Sequence, residues 1–261
     1  QQNYTRALYL SESIPERGKA GFLKKATGIL WHWDNFHYDD AGQLLRDCVP
    51  QAKVLVDDAD YSALADTIVR LGKTIGRIQL ALRALRQCKD GRMEAMSQDA
   101  VEGHLYILGD VIENARRRVR LHPTDCALRC YRALEVATQI GLIRCGVNPW
   151  CPDWDRLPQD KVSSYLDILG AQRPPKELSL WNGFSLLELL TTPFEKETKE
   201  SLRDVMSLRN LCYLEHGYDS VSPEAAERTL GKTERVVTDI TSRAKIEKTP
   251  LQYAEELRLK V

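Results

Sequence analysis

The segment YSALADTIVRLGKTIGRIQLALRALRQC (residues 61–88) decides the fold class, because its apolar residues recur every three or four positions. The stripe consists of Leu64, Ile68, Leu71, Ile75, Ile78 and Leu82. This spacing places the apolar side chains on one face of a helix, and that face needs other elements to cover it. We expect a helix over residues 61–88 and a core built from packed helices.

Helical periodicity dominates the rest of the chain from about Gly21 onward. Two more amphipathic segments run over about residues 99–121 and 125–145, with Pro123 at the boundary between them. The only β-like patch is residues 54–56, and the aspartates that follow close it at once. The sequence therefore predicts an all-α fold, a multi-helix bundle.

Residues 146–175 differ in composition, with five prolines and two tryptophans. They indicate a structured connector that holds one short helix near residues 162–169. The connector is either a lid or a loop that covers the core, and we favour the loop. Its aromatic side chains need something to pack against.

In the last part of the chain, capping residues clearly mark where helices begin and end. Residues 192–195 (TPFE) predict a capping box, with Thr192 at the N-cap and Pro193 at the first helical position. We expect this helix to end at Gly217, which suits a left-handed cap. Ser222 and Thr249, each followed by Pro, open two later helices. The short turn over residues 217–221 predicts that the helices on either side of it are antiparallel.

The amino-acid composition limits the classes of function that the chain can have. The 261 residues carry equal numbers of acidic and basic side chains and are 43% hydrophobic, which is ordinary for a soluble globular protein. A protein that coats long nucleic acids would be basic, so we expect any nucleic-acid contact to be local. No stretch is apolar enough to span a membrane, no signal peptide is evident, and we expect a cytoplasmic protein. The chain begins with Gln1 rather than Met, so we expect either a fragment or further N-terminal residues.

Seven cysteines, with no CxxC pair, indicate reduced thiols rather than a disulfide framework. Cys126 and Cys130 share a predicted helix face, where small buried hydrophobic residues are favoured over a metal site. His32, His37 and His104 show no metal-ligand spacing. We expect no metal and no cofactor.

The segment LRNLCYLEHG (residues 208–217) carries the candidate chemistry. Arg209 and His216 are seven residues apart, about two turns of a helix, and so are expected on one face. An arginine offers a planar, permanently charged fork for phosphate oxygens, and a histidine exchanges protons near neutral pH. Asn210 lies next to the arginine. On spacing alone the signal is weak, and the alternative is a surface arginine with a capping histidine.

The predicted helix end places His216 at the negative end of the helix dipole, which favours an imidazolium and repels phosphate. One copy of the site is therefore inadequate, and two copies across a two-fold axis would supply paired arginines and histidines. A decoy pattern, Arg116 or Arg117 followed by His122, lacks the neighbouring Asn and the following Gly. Its arginine run is interpreted as a solvated helix end.

The string RNLCYLEHGY (residues 209–218) resembles the Arg–polar–x(4–6)–His motif of HEPN ribonucleases, in which the polar residue is often Asn and Gly often follows the His. Residues 125–139 (DCALRCYRALEVATQ) resemble the RxYRxxE helix of a CRISPR-associated branch that combines CARF and HEPN domains. WHWDNF (residues 31–36) and YDDA (residues 38–41) also resemble that branch. The resemblance covers roughly residues 20–220.

The resemblance implies a dimeric, metal-independent nuclease that cuts single-stranded RNA by attack of the 2′-hydroxyl on the adjacent phosphate. Arg209 would bind the scissile phosphate, His216 would transfer a proton or stabilise charge, and Asn210 would orient one of them. Arg132 and Glu135 match the second motif, either as a buried structural ion pair or with a direct role. It also implies an N-terminal helical region over residues 1–95 and a HEPN-like nuclease domain over residues 96–261.

The sequence departs from this family in one respect, because no βαβ pattern typical of a CARF sensor is present. Activation by cyclic oligoadenylate would therefore need a sensor outside this sequence, unless the protein works without one. The alternative function is a non-catalytic α-helical scaffold that keeps the HEPN shape. A helical-repeat adaptor is a weaker option, since no 34-residue period supports it.

Two further groups of side chains remain open to more than one interpretation. The basic stripe Arg70, Lys73 and Arg77, with the basic residues that follow it up to Arg92, fits a solvated helix face better than an RNA groove. The aromatic residues Trp31, Trp33, Phe36 and Tyr38 fit packing in a helical corner better than base stacking.

Overall fold

The computed structural model describes residues 4–13, 17–93, 96–212 and 220–258. Within these ranges the chain is all-α, as predicted, with eleven α-helices and no strand. In chain order the helices are α1 (Tyr4–Ser11), α2 (Gly18–Asp34), α3 (Tyr38–Leu55), α4 (Ser62–Lys89), α5 (Gln98–Arg118), α6 (Pro123–Arg144), α7 (Gln159–Leu169), α8 (Leu180–Leu190), α9 (Lys196–Leu211), α10 (Pro223–Arg243) and α11 (Pro250–Leu257).

The helices form two compact units. One comprises Gln1–Leu80 with Leu257–Val261 and the other Ala81–Glu256, so that the boundary falls inside α4. In the first unit α2 packs against α1 and α3. The predicted stripe of α4 is confirmed, because its central residues Ile68, Leu71, Ile75 and Ile78 are buried. The division into residues 1–95 and 96–261 stays a prediction.

Helix α6 is the central element of the second unit and packs against α5, α8, α9 and α10. Its buried face contains small residues, which let the neighbouring helices approach closely. A Cβ added at Gly141 would lie 2.7 Å from Leu187 Cδ2 of α8 and 3.3 Å from Ile240 Cγ2 of α10. An added Cβ would therefore force the side chains of Leu187 and Ile240 to shift where three helices meet.

Helices α9 and α10 are antiparallel, as predicted. Glu197, early in α9, pairs with Arg235 late in α10, whereas Asp204 further along α9 pairs with Lys232 earlier in α10. The chain order of the paired residues thus runs in opposite directions. The buried side chains of Leu202 and Val205 pack α9, and with it Arg209, against the core of the unit.

The predicted capping box at residues 192–195 is wrong, since α9 begins at Lys196 and its N-cap is Glu195 without a side-chain hydrogen bond. Residues 192–194 are held by tertiary contacts instead. Arg243 Nη1 donates to the backbone oxygens of Thr192 (3.0 Å) and Pro193 (2.7 Å). The ring of Phe194 is buried and stacks on Phe184 at 4.2 Å between centroids. The tertiary contacts of these residues outweigh their local preference for a capping box.

The predicted end of this helix at Gly217 is also wrong. Helix α9 stops at Leu211, and the backbone of Cys212 is extended, with φ −65° and ψ 136°. The Cys212 N–H bonds to the carbonyl oxygens of Leu208 and Arg209, and its side chain is fully buried. The helix thus ends where a buried side chain and an extended backbone coincide. The described part of α9 thus ends before residue 216, and the predicted position of His216 lies outside the described residues.

The remaining helix boundaries follow the sequence more closely. Ser222 caps α10 by accepting from Ala225 N–H, and Thr249 forms a reciprocal capping box with Gln252. The connector holds the expected helix, α7, and Trp154 packs there on Tyr165 at 5.3 Å. The β-like patch at residues 54–56 is instead the end of α3. Periodicity also missed α1 and the start of α2 at Gly18.

None of the described helices combines the length and the hydropathy that a bilayer crossing needs.

Candidate active site

Arg209 occupies an unusual position for a charged residue. On α9 it continues the core-facing stripe of Leu202 and Val205, which are both buried, and Cys212 follows in the same spacing. Its own side chain is half-buried rather than exposed. A positive charge at a stripe position loses part of its hydration, so neighbouring groups must compensate.

Two neighbours supply that compensation. The guanidinium carbon of Arg209 lies 4.9 Å from the ring centroid of Tyr131, in the middle of α6. Arg209 Nη1 donates to Asn210 Oδ1 at 3.1 Å. The aromatic face and the amide oxygen together hold the guanidinium in one orientation.

The arrangement suits anion binding. A guanidinium is planar and permanently charged, and its N–H donors match the oxygens of a phosphate. Asn210 is exposed, so the edge of the site reaches solvent. The structure thus brings the predicted residues Arg209 and Asn210 together, and it adds Tyr131. His216, the other predicted catalytic residue, lies outside the described residues.

Tyr131 lies inside the RxYRxxE stretch of α6, but no pattern in the sequence predicts a role for it. The one indication in the sequence was that Tyr131 lies on α6, the helix that carries the second motif. A contact between α6 and α9 joins residues 78 positions apart in the chain, and periodicity cannot foresee it.

Arg132 and Glu135 form an ion pair on α6, with Arg132 Nη1 3.1 Å from Glu135 Oε2. Their side chains are 54% and 29% exposed, so the expectation of a buried pair is wrong. An exposed i,i+3 pair contributes little to stability. A direct role for the two residues stays a prediction.

The decoy arginine of α5 belongs to a structural network. Arg116 is only 18% exposed and pairs with Glu113 (3.4 Å), Glu234 of α10 (2.8 Å) and Glu255 of α11 (2.8 Å). The interpretation of this run as a solvated helix end is therefore wrong, except for Arg120, which is exposed. Its carboxylate partners tie three helices together, which explains an arginine here without catalysis.

The aromatic cluster near residue 31 and the two cysteines of α6 both have structural roles in packing. Trp33 and Tyr38 are buried and pack edge to face at 5.4 Å, which is the corner packing favoured above. Cys126 and Cys130 are buried thiols on α6, where their mutual hydrogen bond and burial raise the pKa of Cys130 well above its ordinary value. Protonated thiols of this kind behave as small hydrophobic groups.

In the basic stripe of α4, Arg70 pairs with Asp66 at 3.1 Å, while Lys73 and Arg77 are exposed. This favours the solvated helix face.

His32 and His37 show no metal-ligand spacing in the sequence, but the fold places them close to each other. The corner between α2 and α3 brings them together with Asp40, and the candidate ligand atoms all lie within 4.8 Å of one another. His37 lies five residues after His32 and Asp40 lies eight residues after it, so no single helix face would join the three.

Comparison with known families matches residues 97–241, more than half of the chain, to a family model described as the Csm6 HEPN domain. The match spans α5 to most of α10 and therefore includes both Tyr131 and Arg209. No curated protein matches the chain.

Proposed function

The chain belongs to the Csm6 HEPN domain family, and from this premise we propose that it is a metal-independent endoribonuclease that cuts single-stranded RNA in CRISPR-associated antiviral defence. One observation carries the proposal: an arginine on the core-facing stripe of α9 is fixed by Tyr131 and Asn210. A guanidinium held in one orientation beside a solvent-exposed asparagine suits the binding of a phosphate.

The reaction proposed is an internal phosphoryl transfer. The ribose 2′-oxygen bonds to the adjacent phosphorus, the bond from phosphorus to the 5′-oxygen breaks, and a 2′,3′-cyclic phosphate and a 5′-hydroxyl remain. Arg209 binds the phosphate and offsets the charge that builds on its oxygens. His216 transfers a proton, either from the attacking hydroxyl or to the leaving oxygen. Asn210 and Tyr131 orient Arg209.

We propose that the active form is a homodimer. Arg209 lies in the last turn of α9, where the helix dipole is negative and opposes phosphate binding. A second arginine from a partner copy would offset this opposition. Leu211, two residues from Arg209, is 54% exposed, and an apolar side chain of this kind suits an interface between copies.

Activation by cyclic oligoadenylate through a sensor outside this sequence is part of the same proposal and rests on the family alone. The competing candidate is a scaffold that keeps the HEPN fold without activity. The match of residues 97–241 to the Csm6 HEPN domain supports the nuclease over the scaffold.

The test is cleavage of an end-labelled single-stranded RNA in EDTA, with and without cyclic oligoadenylate. We expect cleavage by the parent, and its loss in Arg209→Ala and His216→Ala with the fold retained by circular dichroism. His122→Ala is the matched histidine control and should cleave like the parent. DNA of the same sequence should stay intact, because it lacks the 2′-hydroxyl.

Full activity in either Arg209→Ala or His216→Ala would overturn the assignment of these residues. Loss of activity in His122→Ala alone would mean that the decoy pattern is the site. Cleavage of DNA, or a requirement for added metal, would point to a different mechanism. If the parent cleaves under neither condition, the assay is repeated with a longer protein that includes the proposed sensor, and no cleavage there with cyclic oligoadenylate would favour the scaffold.

A further inference from the structure

The corner between α2 and α3 gathers two imidazoles and one carboxylate. His32 lies in the last turn of α2, His37 directly precedes α3, and Asp40 lies in the first turn of α3. Phe36 between the helices has a φ of 60°, an unusual conformation for a side chain of this size, and the chain reverses there. The His37 N–H then bonds to the His32 carbonyl oxygen at 2.8 Å.

The spacing of the polar atoms fits metal ligands better than hydrogen-bond partners. His32 Nδ1 lies 3.6 Å from Asp40 Oδ2, which is too long for a hydrogen bond. Two donors that each lie about 2.0–2.2 Å from a tetrahedral zinc ion are separated by about 3.4 Å. The nearest candidate ligand atom of His37 completes a group whose members all lie within 4.8 Å.

One of these atoms is otherwise unsatisfied. His32 Nδ1 is buried and has no hydrogen-bond partner among the described residues. A buried polar atom without a partner is destabilising and needs an explanation. A bound cation accepts the lone pair of a neutral imidazole nitrogen and so satisfies it.

Surrounding aromatic side chains hold the two imidazoles in place. The Trp31 ring meets His32 edge to face at 4.9 Å and His37 at 5.7 Å. Directly beside them, the buried pair Trp33 and Tyr38 locks α2 to α3. Ligands on such a braced corner are preorganised, which lowers the entropy cost of binding an ion.

We infer that His32, His37 and Asp40 bind one divalent transition-metal ion, with Zn²⁺ the best fit. Two imidazoles and a carboxylate select zinc and its neighbours, whereas Mg²⁺ and Ca²⁺ prefer oxygen ligands. Three protein ligands leave a fourth position for water. The ion ties α2 to α3 and takes no part in the proposed RNA cleavage, which needs no metal.

The test is calorimetric titration of ZnCl2 into the full chain at pH 7.5, after chelator treatment and dialysis. We expect about one ion per chain, with affinity at least tenfold lower in His32→Gln, His37→Gln and Asp40→Asn, because even outer-shell changes weaken metal sites by about 10–100-fold. Asp39→Asn removes the same charge from the same helical turn and should bind like the parent. Asp40 is 62% exposed, so its replacement does not threaten the fold.

Two further readouts separate this site from the thiols. Co²⁺ should give visible absorption bands without a thiolate-to-cobalt charge-transfer band. Zn²⁺, but not Mg²⁺, should raise the melting temperature of the parent and of Asp39→Asn, and not that of Asp40→Asn. Titration curves that match in parent and ligand variants, a thiolate band, or equal stabilisation by Mg²⁺ would each overturn the inference.

Discussion

Arg209 departs from what its position on α9 favours. Its neighbours along the stripe, Leu202 and Val205, are buried apolar residues, and an apolar residue at 209 would continue the pattern. The arginine instead lies over the ring of Tyr131 and bonds to Asn210. A charged residue at a stripe position that is held by its neighbours is consistent with the phosphate-binding role proposed for Arg209.

This interpretation predicts a role for the aromatic ring of Tyr131. Tyr131→Leu should lower kcat/KM for RNA by about fivefold, because a cation–π contact contributes about 1 kcal/mol to the orientation of the guanidinium. Tyr131→Phe keeps the ring and should stay near the parent. Steady-state kinetics on a labelled RNA measures both.

A control on the same helix separates positioning from general packing. Arg203 of α9 lies over Trp181 at 5.0 Å, a contact of the same kind. Trp181→Leu should leave kcat/KM unchanged at a temperature where the protein is folded. If it lowers kcat/KM as much as Tyr131→Leu does, the ring of Tyr131 has no special part in the site.

His104 predicts a dependence of stability on pH. This residue of α5 is 3% exposed, and burial, with a smaller contribution from the charge of Arg132, lowers the pKa of its imidazole to about 4. An unfolded histidine has a pKa near 6.5, so the unfolded chain takes up the proton first as pH falls. The stability that neutral His104 contributes is present above pH 6.5 and is lost as pH falls towards 4.

Urea unfolding at pH 7.5 and pH 5 measures this effect. The parent should lose on the order of 2 kcal/mol more than His104→Leu over this interval, because the variant has no imidazole to protonate. Equal losses in parent and variant would mean that His104 does not titrate as its burial indicates.

At the scale of helices, most of the architecture follows from the sequence. Apolar spacing located α4, α5 and α6 to within a few residues, because these helices bury one continuous face. Ser222 and Thr249 marked the starts of α10 and α11 because their caps are made by local atoms. Local signals of this kind can be read directly from the chain.

Both ends of α9 escaped prediction for a common reason. Its start depends on Arg243, more than forty positions away, which holds Thr192 and Pro193 in a non-helical conformation. Its end depends on the burial of Cys212. Tertiary contacts set both boundaries, and no local pattern encodes them.

Helix packing predicts opposite effects for two glycines. A Cβ at Gly109 of α5 would lie 2.8 Å from the backbone nitrogen of Ala254 in α11, which cannot move aside, whereas Gly231 of α10 has open space. Gly109→Ala should lower the free energy of unfolding by about 1–3 kcal/mol. Gly231→Ala should raise it by about 0.5–1 kcal/mol, since alanine favours a helix.

Chemical denaturation of the two variants beside the parent checks this pair. A Gly109→Ala protein as stable as the parent would show that α11 does not pack on α5 as closely as described.

At the scale of the whole molecule, the sequence does not predict which side chains from different helices contact one another. Arg209 and Asn210 were predictable because they are neighbours, but the contact with Tyr131 joins α9 to α6. Likewise His32 and Asp40 meet only because Phe36 reverses the chain between two helices. Periodicity describes one element at a time, so contacts between elements need the fold.

The last variant prediction concerns the proposed dimer. Leu211→Asp should shift the protein from dimer to monomer and lower RNA cleavage, because it puts a charge into the proposed interface. Ile168→Asp on α7 is the matched control, since Ile168 is equally exposed at 52%. Light scattering after gel filtration measures the mass of each. A monomeric parent, or a dimer unaffected by Leu211→Asp, would contradict this surface.

The chemistry of the RNA ends tests the central claim most directly. Single-stranded RNA is incubated with the full-length protein and cyclic oligoadenylate in EDTA, and the fragments are identified by mass spectrometry. We predict a 2′,3′-cyclic phosphate on one fragment and a 5′-hydroxyl on the other, with both absent in Arg209→Ala. Fragments that carry a 3′-hydroxyl and a 5′-phosphate, or no fragments at all, would contradict a metal-independent HEPN ribonuclease.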